Sequence, residues 1–445
     1  TMRGDMTSSL VFFGLTVKRH KEPIVACIVM SSLISLLYIT LLRRFAGAML
    51  WGGFMVALAL LEIRIMEHPL VVSAFVTCTA TAGLLCFIRR QRHAINRAVA
   101  CVELACTCLF DMPWLLYVIL VQAALGVLIL FGAQFSITSA LLCAQMDEDG
   151  QVLLVLDIGD LLLLTYTVVS AVWGLVVSVA CSNYVVIHAA ELWFFNGAKS
   201  EGCAMGWSSV SVMLKYHVGS LALGSPIVCA VSPIRFVLGF LNFWAQRPDN
   251  PVGVLVTECC SECLDFYWQH FERLNKRAYM DIALNSAPFF PAAAESSEVI
   301  QSQAPVFQAL HGETWVFHVI AMFLHYMLGH SLAFSILGAE EDNMVHLSLG
   351  IFGGDVHCDS RVFLGNLCAI IAALVSHLYM SLLDVVSDTL LYCVTVEQIR
   401  QREAEEGLEA GAGSENFRLF SPARRYVADL TAWLANSLVC VQQTT

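Results

Sequence analysis

The chain has 445 residues, of which 58% are hydrophobic and 13% are charged, about half the charged share of a typical globular domain. Its formal net charge is −12 and its mean hydropathy is +0.71. So few charges cannot keep so much apolar side chain in aqueous solution. The composition therefore excludes a disordered chain, an ordinary soluble enzyme and a nucleic-acid binder with a basic surface, and it predicts a multi-pass membrane protein.

Several apolar segments are long enough to cross a bilayer, whose hydrocarbon core of about 30 Å requires about 20 residues of helix. In chain order they are residues 24–42, 45–63, 70–88, 113–139, 161–195, 218–240, 315–337 and 362–392. Only Arg43 and Arg44 separate the first two, which predicts a tight helical hairpin. The chain is thus divided into an N-terminal segment (1–23), a transmembrane domain (24–393) and a cytoplasmic C-terminal tail (394–445).

Two further segments are less apolar. Residues 94–110 carry Arg97 and Glu103, which predicts an interfacial helix rather than a span. Residues 246–312 form the least hydrophobic internal stretch, in which a short or re-entrant span is expected near residues 279–291. The distribution of basic and acidic loops also favours one hidden crossing. The predicted fold is all-α, a polytopic transmembrane helix bundle of about nine to ten spans.

Three sequence strings stand out along the chain. The first is YHVGSLALGS at residues 216–225, followed by Arg235. The second is LNKRAYMDIA at residues 274–283, after a cysteine-rich stretch, and the third is DTLLYC at residues 388–393. Two looser strings precede them, from the basic run at 89–97 to Pro113 and from Trp173 and Tyr184 to LWFF at 192–195. In this order, the five strings resemble those of the choline transporter-like family of membrane proteins.

The resemblance implies a protein of about ten spans that transports choline or a related amine, ethanolamine included, by alternating access. Its expected partners are this small amine and the surrounding membrane lipids, in the plasma membrane or an organelle membrane such as the mitochondrial one. The alternative is a degenerate homologue that serves as a structural subunit, with partner subunits in a larger membrane complex. The poorly matched string at residues 285–294 favours that alternative.

Aromatic residues inside the spans are candidates for binding such an amine, because a quaternary ammonium has no N–H and is held by aromatic faces and nearby carboxylates. Trp173 and Tyr184 lie on one long apolar segment. The competing interpretation is that these side chains anchor the helix at a membrane interface.

The last span carries a polar face, because His377, Ser381, Asp384, Asp388 and Tyr392 recur three or four residues apart. Such a face is expected to meet a cavity or other helices, where it holds a cation or relays a proton. The competing interpretation is that the helix has left the bilayer by Asp384, so that both carboxylates are merely solvated.

His217 and Ser220 lie in the 216–225 string, where small residues and a following proline suggest either close helix packing or a polar pathway. Trp173, Tyr184, His217, Ser220, Asp384 and Asp388 are therefore the candidate substrate-binding residues. No cofactor, metal ion or catalytic role is expected. The histidines spaced seven residues apart from His311 to His325 lack a carboxylate or cysteine at ligand spacing.

Overall fold

The computed structural model of the chain describes residues 21–65, 93–142, 158–196, 202–230, 277–337, 344–349 and 354–409. Several features of the sequence lie outside these residues. They are the predicted span at 70–88, Arg235, the cysteines at 259–263 and the tail beyond residue 409.

The described residues form nine α-helices and one β-hairpin, so the predicted all-α class is confirmed. The helices are α1 (Lys21–Ile65), α2 (His93–Asp111), α3 (Leu115–Leu142), α4 (Ile158–Asn196), α5 (residues 202–230), α6 (Ala278–Asn285), α7 (Phe289–Ser302), α8 (Ala304–Leu337) and α9 (Ser360–Glu409). Strand β1 (Met344–Leu349) pairs antiparallel with β2 (Gly354–Asp359), Met344 opposite Asp359 and Leu349 opposite Gly354. This β-hairpin was not predicted from the sequence.

Seven of the described helices are long and apolar enough to cross a membrane. They are Glu22–Gly53, His93–Asp111, Leu115–Ser139, Leu161–Asn196, Gly206–Ala230, Ala304–Ile336 and Leu364–Arg402. The multi-pass architecture is therefore confirmed, whereas the predicted count of nine to ten spans is not. The segment expected to be an interfacial helix is a helix, and its length and composition also suit a span.

The structure departs from the predicted segments at three places. The segment near residues 279–291 is not one continuous helix, because Ser286 adopts a left-handed conformation (φ 54°) between α6 and α7. Helix α5 begins well before residue 218 and contains a π-helical turn at Met213–His217. Helix α9 continues past residue 393 into the predicted tail, as far as Glu409.

Helix α1 bends back on itself at Phe45, whose φ of −131° and ψ of 20° are not helical. Before the bend, the Tyr38 hydroxyl donates a hydrogen bond to the Phe317 carbonyl oxygen at 3.1 Å. If α1 were straight, residue 53 would lie about 22 Å beyond residue 38 along the helix axis. Instead, a Cβ built on Gly53 would lie 3.1 Å from Ile320. This return agrees with the predicted hairpin.

The chain forms two compact units. Of the described residues, unit 1 comprises 21–65, 93–107, 308–337, 344–349 and 354–384. Unit 2 comprises 108–142, 158–196, 202–230, 277–307 and 385–409. The first half of α9 thus belongs to unit 1 and its second half to unit 2.

Unit 1 is organised by contacts among α1, α8 and the first half of α9. The Ser31 hydroxyl donates to the Ala372 carbonyl oxygen at 2.9 Å. Cys27 packs in a buried apolar cluster with Ala333, Leu364 and Cys368. Small side chains and hydroxyls bonded to carbonyls allow these helices to approach closely.

Unit 2 is centred on α4, which packs against α3, α5 and α6. Its second half is buried, with Tyr184, Trp193 and Phe194 among the largest fully buried side chains. The Trp193 indole N–H donates to the Asp111 carboxylate at 3.2 Å. This packing brings polar side chains of α4, α6 and the second half of α9 into one buried region.

The close approach of α8 to α9 predicts that Gly329→Ala destabilises the protein. The added Cβ would lie 2.7 Å from the Ala372 Cβ and 3.1 Å from the Cys368 carbonyl oxygen, so the backbones must separate. Overpacking of this kind costs about 1–3 kcal/mol of unfolding free energy. We expect a lower midpoint of thermal unfolding for the purified protein in detergent.

Gly312→Ala on the same helix is the matched control, because a Cβ there meets nothing within 4 Å. Its midpoint should equal or exceed that of the wild type, since alanine favours helix over glycine. Equal midpoints for the two variants would contradict the packing described for Gly329.

Candidate functional site

Buried ionisable side chains mark the candidate sites, because a charge at the centre of a membrane costs at least about 2.5–3.5 kcal/mol unless it is matched. Unit 2 holds Glu191, Asp281 and Asp388, of which each is at most 4% exposed. Unit 1 holds Glu313, Asp384 and several histidines.

Arg277 pairs with Asp388 in unit 2. Its Nε lies 3.6 Å from Asp388 Oδ2, and the two side chains are 15% and 1% exposed. The guanidinium group also lies over the Phe307 ring, 5.5 Å from the ring centroid. The interpretation that Asp388 is merely solvated is therefore wrong.

Asp281 is held by two hydrogen bonds to one of its oxygens. The Tyr392 hydroxyl donates to Oδ1 at 3.0 Å, and the Asn285 side-chain amide donates to the same atom at 2.8 Å. Burial raises the pKa of the Asp281 carboxyl, and these hydrogen bonds act in the opposite direction. Glu191 is buried on α4, which packs against α6.

Regular helical spacing explains how the sequence builds this group. Arg277 is the N-cap of α6, and Asp281 and Asn285 follow at successive turns, so the three share one face of α6. Asp388 and Tyr392 are likewise one turn apart on α9. Asp388 of α9 contacts Arg277, and Tyr392 of α9 contacts Asp281. The two polar pairs therefore lie side by side.

Glu191, Asp281, Asp388 and Arg277, which we call the acidic cluster, comprise three acids and one base. If all four are ionised, the acidic cluster carries a formal charge of −2. Charge of this kind is costly in a region of low dielectric constant, and either a proton or a bound cation reduces it. The acidic cluster is thus chemically suited to a positively charged ligand.

Tyr184 and His217 are brought together in the same unit. The Tyr184 ring is fully buried, and its centroid lies 5.1 Å from that of His217 and 6.0 Å from that of His188. Its hydroxyl has no hydrogen-bond partner among the described residues. His217 ends the π-helical turn of α5, a feature that is frequent at functional sites.

Trp173 lies apart from this pair. It precedes Tyr184 on α4 by about 16 Å of helix, and its half-exposed indole donates to the Ala222 carbonyl oxygen at 3.2 Å. Ser220 is partly buried on α5, one turn beyond His217. The structure therefore groups Tyr184 with His217. The half-exposed position of Trp173 is as compatible with a surface anchor as with a binding residue.

Asp384 meets side chains of α8 in unit 1. Its Oδ1 accepts a hydrogen bond from the Thr314 hydroxyl at 2.9 Å and lies 4.0 Å from His311 Nδ1. About two turns earlier on α9, His377 Nδ1 lies 2.6 Å from His318 Nε2, so one imidazole donates and the other accepts. The polar face predicted for the last span thus contacts another helix, as expected.

The candidate residues from the sequence did not include four groups that are buried or partly buried: Glu191, Arg277, Asp281 and Glu313. Glu313 on α8 is 4% exposed, and neither carboxylate oxygen has a hydrogen-bond partner among the described residues. The sequence did carry a signal for them, because each is an ionisable residue within or beside an apolar segment. Such a residue is a candidate for a functional role in a membrane protein.

The long apolar helices, with ionisable groups buried among them, define a multi-pass membrane protein. Comparison with known sequences agrees. The profile of a family described as plasma-membrane choline transporters matches residues 75–398. The chain therefore belongs to the choline transporter-like family, and the resemblance stated from its motifs is confirmed.

Individual relatives are distant. Choline transporter-like protein 3 of Bos taurus is 24% identical over 330 residues, which are 73% of this chain and 48% of the relative. The human protein of the same name is 24% identical over 334 residues, with the same coverage. Choline transporter-like 1 of Anopheles gambiae is 24% identical over 230 residues, 51% of this chain and 31% of the relative. The chain thus spans about half the length of the first two relatives.

The ion pair predicts that Arg277→Gln destabilises unit 2, because it leaves the Asp388 carboxylate buried without its cation. Loss of one partner of a buried pair costs about 3–5 kcal/mol. We expect a clear fall in the thermal unfolding midpoint, and partial recovery in the double variant Arg277→Gln/Asp388→Asn.

Arg97→Gln is the control, because Arg97 is an exposed residue of α2 and its loss should change the midpoint little. The ion pair would have no stabilising role if the loss in unfolding midpoint of the double variant equalled the sum of the losses of the two single variants.

Proposed function

We propose that this protein moves choline or a related small amine, with ethanolamine as a second substrate, across a membrane by alternating access. The amine crosses without chemical change, so the proposal requires no catalytic residue. Membership of the choline transporter-like family supports the substrate class. The single observation that carries the proposal is the acidic cluster, whose acids outnumber its base among the described residues.

A quaternary ammonium suits this region because it cannot donate hydrogen bonds and is bound by charge and by aromatic faces. The acidic cluster supplies negative charge, and Tyr184 supplies a buried aromatic ring in the same unit. Tyr392 adds a second ring beside Asp281. We assign Tyr184 and His217 to the aromatic side of the substrate path and Asp388 to its charged side.

The ion pair suggests how binding and release alternate. With no substrate bound, Arg277 neutralises Asp388 at 3.6 Å. When the amine arrives, its positive charge competes with the guanidinium group for that carboxylate. Because one carboxylate cannot pair fully with both cations, substrate binding favours a second arrangement of α6 and α9.

The plasma membrane is the proposed location, since the matched family is described as plasma-membrane transporters. An organelle membrane, the mitochondrial one included, is the alternative location. The alternative function is that of a structural subunit in a larger membrane complex, for which partner subunits must co-purify with the chain.

Uptake of labelled choline by proteoliposomes tests the transport proposal. Wild-type protein should concentrate or exchange choline above protein-free vesicles. Asp388→Asn should lower uptake on the order of tenfold, because it removes the negative charge. Tyr184→Leu should raise KM about 2- to 30-fold, the range that one cation–π contact of 0.5–2 kcal/mol provides.

Tyr166→Leu is the matched control on the same helix, because Tyr166 is 71% exposed and should be dispensable. Absence of wild-type uptake, together with stable partner proteins, would favour the structural subunit. Equal uptake by the wild type, Asp388→Asn and Tyr184→Leu would overturn the site assignment while leaving transport intact.

A further inference from the structure

The β-hairpin between α8 and α9 has one apolar face and one face rich in possible metal ligands. Successive residues of a strand lie on opposite faces of a sheet, so alternate residues share a face. The apolar face comprises Val345, Leu347, Leu349, Gly354, Val356 and Cys358. The other face, which we call the hairpin's polar face, comprises Met344, His346, Ser348, Asp355, His357 and Asp359. The alternation in the sequence and the register of the strands thus agree.

Two histidines occupy opposite positions on the hairpin's polar face, because His346 of β1 is the register partner of His357 of β2. Residues directly opposite each other have Cβ atoms about 4.5–5.5 Å apart. A bond from zinc to an imidazole nitrogen is about 2.0–2.1 Å long, so two imidazoles from such positions can bind one ion between them. The two histidines are 11 residues apart in the sequence, and it is the strand register that pairs them.

Two carboxylates flank this histidine pair. Asp355 and Asp359 lie two residues before and two residues after His357 on β2, and they share its face. Residues two apart on a strand are separated by about 6.7 Å, a distance that two side chains with one ion between them can bridge. Zinc accepts mixed sets of imidazole and carboxylate ligands of this kind.

The charge of this part of the chain also favours a cation. Residues 340–359 contain five acidic residues and no Lys or Arg. A bound divalent ion lowers the repulsion among these acids, which no lysine or arginine of the same stretch can do. The competing interpretation is that the hairpin's polar face is only hydrated. Any polar residue satisfies water, however, so hydration does not account for a histidine pair flanked by acids.

The donor set selects the class of ion. Ca²⁺ and Mg²⁺ take oxygen ligands, so a pair of imidazoles disfavours them. Soft ions such as Cu(I) prefer thiolates, and Cys358 lies on the apolar face. Imidazole together with carboxylate suits Zn²⁺ best among the common ions.

We propose that the β-hairpin binds one divalent transition-metal ion, with Zn²⁺ as the expected ion, through His346, His357 and Asp355. Asp359 is the second carboxylate. It directly precedes α9, where an acidic residue also stabilises the N-terminus of a helix. Because β2 leads into α9 at Ser360 without a break, the bound ion clamps β1 to the strand that begins this helix. The proposal depends neither on the transported substrate nor on the transport mechanism.

Zinc binding by the purified full chain tests this site. The protein, without a polyhistidine tag, is freed of metal with a chelator and titrated with Zn²⁺ in detergent by isothermal titration calorimetry. The wild type should bind one Zn²⁺ at the hairpin. His346→Ala and His357→Ala should each weaken this binding at least about 10-fold, because loss of a residue that only hydrogen-bonds to a metal ligand already costs about 10–100-fold. Asp355→Asn should also weaken it.

Three further variants show where the ion binds. Cys358→Ser changes the apolar face of β2 and should leave the zinc affinity unchanged. His311→Ala should also leave it unchanged, although His311 Nδ1 lies 4.0 Å from Asp384 Oδ1 and the two are another pair of possible ligands. His346→Cys keeps a zinc ligand at its position, so it should retain much of the binding that His346→Ala loses.

Unchanged zinc affinity in both His346→Ala and His357→Ala would overturn the proposal, and so would a wild type that binds no zinc. Loss of binding in His311→Ala, with the hairpin variants unaffected, would assign the ion to α8 and α9 instead. If His346→Cys bound zinc no better than His346→Ala, the histidine would support only the fold of the hairpin, which also contradicts the proposal.

Discussion

The structure depends on one constraint, which is that a polar group inside a membrane must be matched by another polar group, because neither water nor a counter-ion is available there. Hydroxyl groups are matched within their own helix. The side chains of Thr165, Thr167 and Ser139 each donate a hydrogen bond to a carbonyl oxygen one turn earlier. Ionisable groups cannot be satisfied in this way. They force helices from distant parts of the sequence to meet, as Arg277 meets Asp388 and Tyr392 meets Asp281.

The same constraint separates the two polar regions. In unit 1, the imidazoles and Asp384 pair with neutral or weakly basic partners, namely Thr314, His311 and a second histidine. In unit 2, the acidic cluster holds three acids against one base. Unit 1 also holds Glu313, whose carboxylate oxygens have no hydrogen-bond partner among the described residues. Among the described residues, unit 2 holds the larger excess of buried acids, and such an excess favours a ligand of the opposite charge.

The sequence predicted what depends on local composition. The segments at 161–195 and 315–337 lie within α4 and α8, and the segment at 113–139 coincides with α3 from residue 115 onward, because apolar length is a local property. The return of α1 near Arg44 was predicted because two arginines cannot lie in the hydrocarbon core. The family followed from motifs, and the matched residues 75–398 include them.

The partners of the site could not be predicted, because they depend on contacts between residues far apart in sequence. Tyr392 and Asp281 are 111 residues apart, and no local pattern pairs them. The π-helical turn at Met213–His217 is also invisible in sequence, since its residues suit an ordinary helix equally well. The β-hairpin was missed because the pairing of residues 344–349 with residues 354–359 depends on strand contacts that the apolar length of a segment does not reveal.

The proposed function is the carriage of a choline-class cation by alternating access. Counterflow tests it most directly: proteoliposomes are loaded with unlabelled choline, and the entry of labelled choline is followed over time. A carrier with one alternating site predicts faster entry and a transient overshoot in loaded vesicles compared with empty ones. Identical entry into loaded and empty vesicles, with protein correctly inserted, would contradict alternating access in this protein.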